Sequence, residues 1–317
     1  MKRLAYGIWR KLNKPEYWFQ PRQLSRKLSL ALKPDQYKCD AVVRLPWGTE
    51  LKVKPNEVLG KSLLRHGVFE LAVSEALWRL TDPGDYCLDI GANIGYMTSL
   101  LATRAGEKGK VFSFEPHPNI FSHLKANLQD WVLNSKSQQR APISIERYAI
   151  GAEDGEMLLL EPDGFRENEG IAFLSNLDAD GQNKMAGHRV QVRCLDSLLS
   201  KKSTFGVIKI DVEGKEHDVL RGATKMLASG RVRDIVYEDF QPFPSNSASL
   251  LRYHGFTVFR LTKAILGPMI WDPTMPQGAN KSLPWEAVNY LATLDPDRAK
   301  ARLLKKGWDC LKLKKRL

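Results

Sequence analysis

Apolar positions along this chain fall into two periods. Short apolar runs occupy residues 86–90, 111–114, 143–150, 205–212, 232–237 and 257–261. Between them, residues 94–104, 118–133, 215–227 and 247–253 place apolar side chains every three to four positions. Short runs bounded by turns read as buried strands, and the three-to-four spacing reads as helices. Regular strand–helix alternation predicts an α/β fold with a doubly wound, mostly parallel sheet covered by helices on both faces.

The flanks break this rhythm. Residues 41–44 and 50–54 bracket Leu45-Pro46-Trp47-Gly48-Thr49, a hairpin signal. Residues 59–80 have helical spacing up to the stop at Thr81-Asp82-Pro83-Gly84-Asp85. Within 151–200 the short runs 157–160, 171–174 and 190–195 sit among polar loops, which predicts a small antiparallel insertion. The expected organisation is an amphipathic N-terminal arm over 1–38, a domain over 39–262 with its core at 70–262, and a C-terminal extension over 263–317.

Charge divides the chain the same way. The net charge is +12, yet residues 1–34 hold nine Lys/Arg and one acid, and residues 298–317 hold nine Lys/Arg and one acid. Each end is therefore +8, which leaves −4 for the body. A surface for binding polyanions is thus confined to the ends. One reading gives the ends an anionic membrane surface or an acidic partner; the other packs them on the domain with their bases in water. No apolar run approaches the roughly 18 residues of a membrane span. Arg10 and Lys11 interrupt residues 4–9 before they reach the length of a signal peptide core. Cys39, Cys87, Cys194 and Cys310 are far apart and form no CxxC pair, as expected of reduced thiols in a cytoplasmic protein, peripheral at a membrane if the ends bind one.

The chemistry concentrates at strand ends. Asp89-Ile90-Gly91-Ala92-Asn93-Ile94-Gly95 lies where a buried strand meets a helix. Glycines there let backbone approach a ligand, and free amides at the helix start favour one. Glu115 ends the next strand, 24 residues after Gly91, where an acid reaches ribose hydroxyls. Together they point to an adenosine-containing cofactor.

The spacing Asp89-x-Gly91-x-Asn93-x-Gly95 departs from the GxGxxG of dinucleotide sites, which argues against a nicotinamide oxidoreductase. It resembles motif I of class I S-adenosylmethionine-dependent methyltransferases. Phe114-Glu115-Pro116-His117-Pro118, Ile208-Lys209-Ile210-Asp211-Val212-Glu213-Gly214-Lys215-Glu216, Val219-Leu220-Arg221-Gly222-Ala223 and Val192-Arg193-Cys194-Leu195-Asp196-Ser197-Leu198-Leu199 are similar to the FkbM-type family. Ala149-Ile150-Gly151 with Asp154-Gly155 resembles it more weakly. The resemblance covers residues 70–262. It implies a Rossmann-like fold and S-adenosylmethionine as cofactor. It implies that Asp89, Gly91, Asn93 and Gly95 meet the methionine part, Glu115 with Pro116 the ribose, and Ala149 and Ile150 the adenine. The family commonly has Asn shortly before that Ala, where this chain has Arg147 and Tyr148.

Asp211 and Glu213 end the fourth strand, Glu216 and His217 open the following helix, and Glu238 and Asp239 end the fifth strand. Methyl transfer is an in-line displacement that needs alignment and, for a hydroxyl acceptor, removal of a proton. Asp211, Glu213, His217 and Glu238 are the candidates for that work. Alternatively Asp211 and Glu213 hold a divalent cation, or Glu213, Glu216 and His217 cap the helix. Lys209 is given no catalytic role. The resemblance implies O-methylation of a small-molecule or sugar acceptor, and the basic ends suit a glycolipid. The competing expectation is an RNA or other nucleic-acid methyltransferase that uses the same ends, but no aromatic or zinc-finger pattern accompanies them.

Overall fold

The structure is a computed structural model and describes residues 14–20, 23, 40–133, 139–175, 186–275 and 288–312. In chain order the first elements are α1 (Pro15–Phe19), β1 (Ala41–Arg44), β2 (Glu50–Val53), α2 (Val58–His66), α3 (Leu71–Leu80), β3 (Tyr86–Ile90), α4 (Tyr96–Ala105), β4 (Lys110–Phe114) and α5 (Pro118–Leu133). Next come β5 (Ile143–Glu146) and then β6 (Ala149–Ile150), β7 (Gly155–Glu161), β8 (Phe173–Ser175) and β9 (Ala186–Arg193). The rest comprises α6 (Leu195–Leu198), β10 (Phe205–Ile210), α7 (Glu216–Arg221), α8 (Thr224–Ala228), β11 (Val232–Glu238), α9 (Asn246–Tyr253), β12 (Thr257–Ala264), β13 (Gly267–Trp271), β14 (Asn289–Thr293) and α10 (Pro296–Leu303).

The central sheet has eight strands in the order β13-β12-β14-β11-β10-β3-β4-β5. β11, β10, β3, β4 and β5 are parallel neighbours, whereas β14 pairs antiparallel with both β11 and β12. This is the mostly parallel, Rossmann-like sheet expected. Strand alternation divides its core. Leu88, Ile90, Ile208 and Ile210 join the cluster under α7–α9, while Cys87 and Val207 join the cluster under α3 and α4. Asp89 and Lys209 share the parity of Cys87 and Val207, and register sets them side by side on β3 and β10.

A second sheet, in the order β6-β9-β7-β8, is the insertion. β7 runs antiparallel to both β8 and β9, but β6 pairs parallel with β9. Residues 143–150 are therefore two strands: β5 stays in the central sheet, and the chain leaves it at Arg147–Tyr148.

Two helices expected to be continuous are broken. Gly67 (φ 75°) and Glu70 (φ 41°) take left-handed backbone and split 59–80 into α2 and α3. Gly222 separates α7 from α8, where a Cβ would stand 2.0 Å from the Gly151 carbonyl oxygen, so the insertion passes against the chain there.

Residues 263–317 were set apart as an extension. In the structure β14 lies inside the sheet, between β11 and β12, so the strand order needs it. The segment after it is fastened by the buried Arg79–Glu75 ion pair of α3. Arg79 donates to the carbonyls of Arg302 (2.9 Å), Lys305 (2.6 Å) and Gly307 (2.8 Å), and Glu75 accepts from the amides of Asp309 and Cys310 (2.7 Å each).

Of the N-terminal arm, residues 14–20 and 23 are described. They pack on the domain through Glu16–Lys263 (3.0 Å), Tyr17 against His66, and Gln20 Nε2 donating to the Leu311 carbonyl (2.5 Å). The remainder of the arm, Cys39 and the bases beyond residue 312 lie outside the described residues. Cys87, Cys194 and Cys310 are free thiols. No helix among the described residues is long and apolar enough to cross a membrane.

Candidate active site

At the carboxyl ends of β3, β4, β10 and β11 lies a cavity of about 210 Å³, where open α/β sheets bind ligands. Three sides close it: the β3–α4 turn, the second sheet through Tyr148–Ile150 and Asn168–Gly170, and the approach to α2 and α3 through Glu57 and Glu70. Loop and domain are tied together, since the Val58 amide donates to the Glu167 carbonyl (2.9 Å) and Lys54 pairs with Glu169.

Local geometry explains the glycine turn. Gly91 adopts φ 77°, and a Cβ on it would stand 1.8 Å from the Asp211 carbonyl oxygen. Only glycine lets the ends of β3 and β10 come this close. Asn93 is left-handed as well (φ 49°), and its amide donates to Glu115 Oε2 at 2.9 Å. The other Glu115 oxygen accepts from the His117 amide at 2.9 Å. Glu115 is buried, and loss of water pushes its pKa up to about 7 against the pull of these two amides. The turn and the strand-end acid are thus one hydrogen-bonded unit.

Gly91, Asn93, Glu115, Pro116, Ala149 and Ile150 line the cavity. Asp89 and Gly95 do not. Asp89 is fully buried behind the lining, accepts from Thr98 Oγ1 at 2.5 Å, and faces Lys209 Nζ at 3.7 Å. Burial raises its pKa despite the Lys209 charge. Gly95 (φ 95°) makes room for α5, since a Cβ would meet Leu124 at 2.7 Å and Trp131 at 2.9 Å.

Of the candidate catalytic residues, Asp211, Glu213 and Glu238 line the cavity and His217 does not. Asp239 also faces away, bound by the Gln241 amide (2.9 Å) and Ser245 Oγ (2.6 Å). Asp211 and Glu238 lie one step past the Ile210–Tyr237 pair of β10 and β11 and share a hydrogen bond. Burial and the Asp211 charge push Glu238 up to about 10, so at neutral pH its carboxyl carries the shared proton. Burial and Asp211 push Glu213 up to about 7.

Sequence reasoning gave Lys209 no catalytic role and missed Glu70. Lys209 Nζ donates to the Gly91 carbonyl (2.7 Å) and pairs with Asp211 (3.2 Å). Its pKa is raised because the Asp211, Asp89 and Glu70 charges outweigh its burial. The signal was present: positions 209 and 211 share one strand face, so a lysine there must meet the cluster. Glu70 reaches the cavity from the break between α2 and α3, which no local pattern announces. The three described non-glycine residues with positive φ, Glu70, Asn93 and Glu213, all line this cavity, and strained backbone of this kind gathers at functional sites.

Among the described residues, two places have groups that could ligate a cation. At Asp211 and Glu213, an ion would have to displace the Lys209 ammonium. His117, Glu161 and His188 also converge, with both imidazole Nε2 atoms near Glu161 Oε1 (3.0 and 2.9 Å). The Asn119 amide approaches His117 Nδ1 at 3.3 Å, which puts the imidazole proton on Nε2, facing Glu161. Hydrogen bonds account for this trio without an ion.

A family model described as the methyltransferase FkbM domain matches residues 89–258, more than half of the chain. Over 213 residues the chain is 30% identical to 31-O-demethyl-FK506 methyltransferase FkbM of Streptomyces tacrolimicus, covering 62% of this chain and 77% of that one. Over 184 residues it is 27% identical to hexuronic acid methyltransferase AglP of Haloferax volcanii, covering 51% and 66%. It is 29% identical over 224 residues to AMB antimetabolite synthetase AmbE of Pseudomonas aeruginosa, covering 58% of this chain but 10% of that protein. The chain thus spans a tenth of AmbE and just under two thirds of AglP.

Proposed function

Because the chain belongs to the FkbM methyltransferase domain family, we propose that it transfers a methyl group from S-adenosylmethionine to an oxygen of a small-molecule or sugar acceptor. The observation that carries this reading is Glu115, buried on the cavity wall with one backbone amide on each carboxylate oxygen. Each oxygen keeps acceptor capacity for a ribose hydroxyl. The lining suits the rest of the cofactor. Ala149, Ile150, Leu159 and Leu174 give an apolar surface beside Glu115 for a purine. Seven carboxyl side chains against one lysine favour a sulfonium and an ammonium.

When bound, S-adenosylmethionine supplies an activated methyl group. The protein must align the acceptor hydroxyl and take its proton. Glu213, with a pKa near 7, suits the base. Glu238, its proton shared with Asp211, keeps a carbonyl oxygen that accepts from the acceptor hydroxyl and orients it. Support for an oxygen acceptor comes from these carboxyls and from the 31-O position in the name of the Streptomyces relative.

Methyl-labelled S-adenosylmethionine incubated with an extract of the source cells tests the reading. It predicts enzyme-dependent label in small-molecule or glycan products as methyl ethers. Label confined to RNA or to nitrogen atoms contradicts it.

A further inference from the structure

Glu70 lies outside the family-matched stretch of 89–258, yet it stands in the cavity beside residues that lie within that stretch. Its backbone is left-handed (φ 41°) immediately before α3. A glutamate held this way requires a restraint, and the structure shows one. The Phe69 amide donates to the Tyr96 hydroxyl at 3.1 Å. Tyr96 Oη and Ser74 Oγ are 3.0 Å apart, and Ser74 Oγ donates to the Phe69 carbonyl at 2.7 Å. With the Ser74 proton used on Phe69, the Tyr96 proton goes to Ser74, and the three bonds close a ring on Phe69. Tyr96 is also the first residue of α4, directly after the glycine turn. Its buried hydroxyl therefore fastens the Glu70 turn to the helix that begins at the cofactor turn.

Around Glu70 the charges are unevenly matched. Asp211, Glu213 and Glu238 reach the same part of the cavity from the ends of β10 and β11. Among the described residues Lys209 is the one lysine or arginine on the wall, and protein oxygens already surround its ammonium: Gly91 at 2.7 Å, Asp211 at 3.2 Å and Asp89 at 3.7 Å. Its charge is therefore already matched by two carboxylates, which leaves little of it for an anionic substrate. His117 gives its Nε2 side to Glu161.

We infer that Glu70 is a catalytic-site carboxyl group that binds a hydroxyl of the acceptor, that Tyr96 positions it, and that the acceptor is an uncharged polyhydroxyl compound. The inference rests on the proposed methyltransferase reading. Carboxyl groups exchange hydrogen bonds with hydroxyls in either protonation state, whereas a carboxylate or phosphate near the reacting oxygen would meet this acid cluster with Lys209, the one lysine or arginine among the described lining residues, already paired. In the transfer the acceptor O–H bond breaks, its proton goes to a carboxylate of this cluster, the new O–CH₃ bond forms, and the S–CH₃ bond breaks to leave a neutral thioether. Burial and Asp211 push the Glu70 pKa up to about 8, in keeping with a group that shares protons.

The test uses the full chain, methyl-labelled S-adenosylmethionine and source-cell extract separated by anion exchange into neutral and anionic pools. Wild-type protein should label the neutral pool. Glu70→Gln should lower transfer at subsaturating extract about 10-fold, the loss of a buried carboxyl hydrogen bond and of its proton exchange, and keep its affinity for S-adenosylhomocysteine within about threefold by calorimetry. Tyr96→Phe should raise the extract concentration at half-maximal rate about 3- to 10-fold, with a smaller change in maximal rate. Label in the anionic pool, undiminished transfer by Glu70→Gln, or a Glu70→Gln defect confined to cofactor affinity would overturn the inference. Absence of enzyme-dependent label from the wild type would instead overturn the methyltransferase reading beneath it.

Discussion

At Gly91 a single hydrogen atom decides whether β3 and β10 can close on the cavity. A Cβ would stand 1.8 Å from the Asp211 carbonyl oxygen, on backbone at φ 77°. Gly91→Ala should therefore destabilise the fold by about 2–4 kcal/mol, combining left-handed strain with overpacking, as read by chemical denaturation. Much at this scale was legible. The glycines, Asn93 and Glu115 announced a cofactor turn because their chemistry is local, set by strand-to-helix geometry and by spacing. Asp89 and Gly95 belong to the same motif but serve beneath the cavity: one anchors Thr98, and the other lets α4 and α5 pack. Glu70 was not legible, because a glutamate between two helical stretches looks solvated until tertiary contacts place it. Lys209 stands out in the sequence as a base in an apolar strand, but its partners on β3 and after β10 emerge only from the strand register.

Elements were legible where the pattern is local and not where the partner is distant. The parallel strands followed from their apolar runs. β14 did not, because a five-residue strand takes its place from antiparallel pairing with β11 and β12. The same holds for α10 and the chain after it, which α3 retains through Arg79. That side chain is 4% exposed and its partner Glu75 is fully buried. Arg79→Met should cost about 3–5 kcal/mol, because it leaves a buried carboxylate unmatched. Hydrogen exchange should show residues 305–310 losing protection before the central strands do. Equal loss of protection across both regions would contradict this tethering.

Across the whole molecule, the +12 net charge conceals an acidic cavity and a partly neutralised C-terminal end. Arg298 and Arg302 lie within the basic end but bind Asp82 and Asp234 (2.6–2.8 Å). These two bases serve the fold, and the described part of the arm packs on the domain too. Carboxyl burial has a consequence for pH. Glu115 and Glu213 are raised to about 7, Glu70 to about 8 and Glu238 to about 10, whereas an unfolded Glu ionises near 4.3. Above pH 7 the folded state retains protons that the unfolded state has lost, so stability falls as pH rises. Each such proton contributes a loss of about 1.4 kcal/mol per pH unit. His66, His117 and His123 have lowered pKa values, so their opposing effect is confined to lower pH. The melting temperature should therefore decline from pH 7 to 8.5, and Glu238→Gln should make that decline shallower. An unchanged slope in the variant would contradict the protonated assignment of Glu238.

The central claim is that Glu115 and the Gly91–Asn93 turn hold S-adenosylmethionine, and calorimetric titration of the full chain with that cofactor tests it most directly. The account predicts saturable binding at one site, weakened about 10- to 100-fold by Glu115→Ala through loss of a charged hydrogen bond. No binding to the wild type, or equal binding to a folded Glu115→Ala variant, would contradict it.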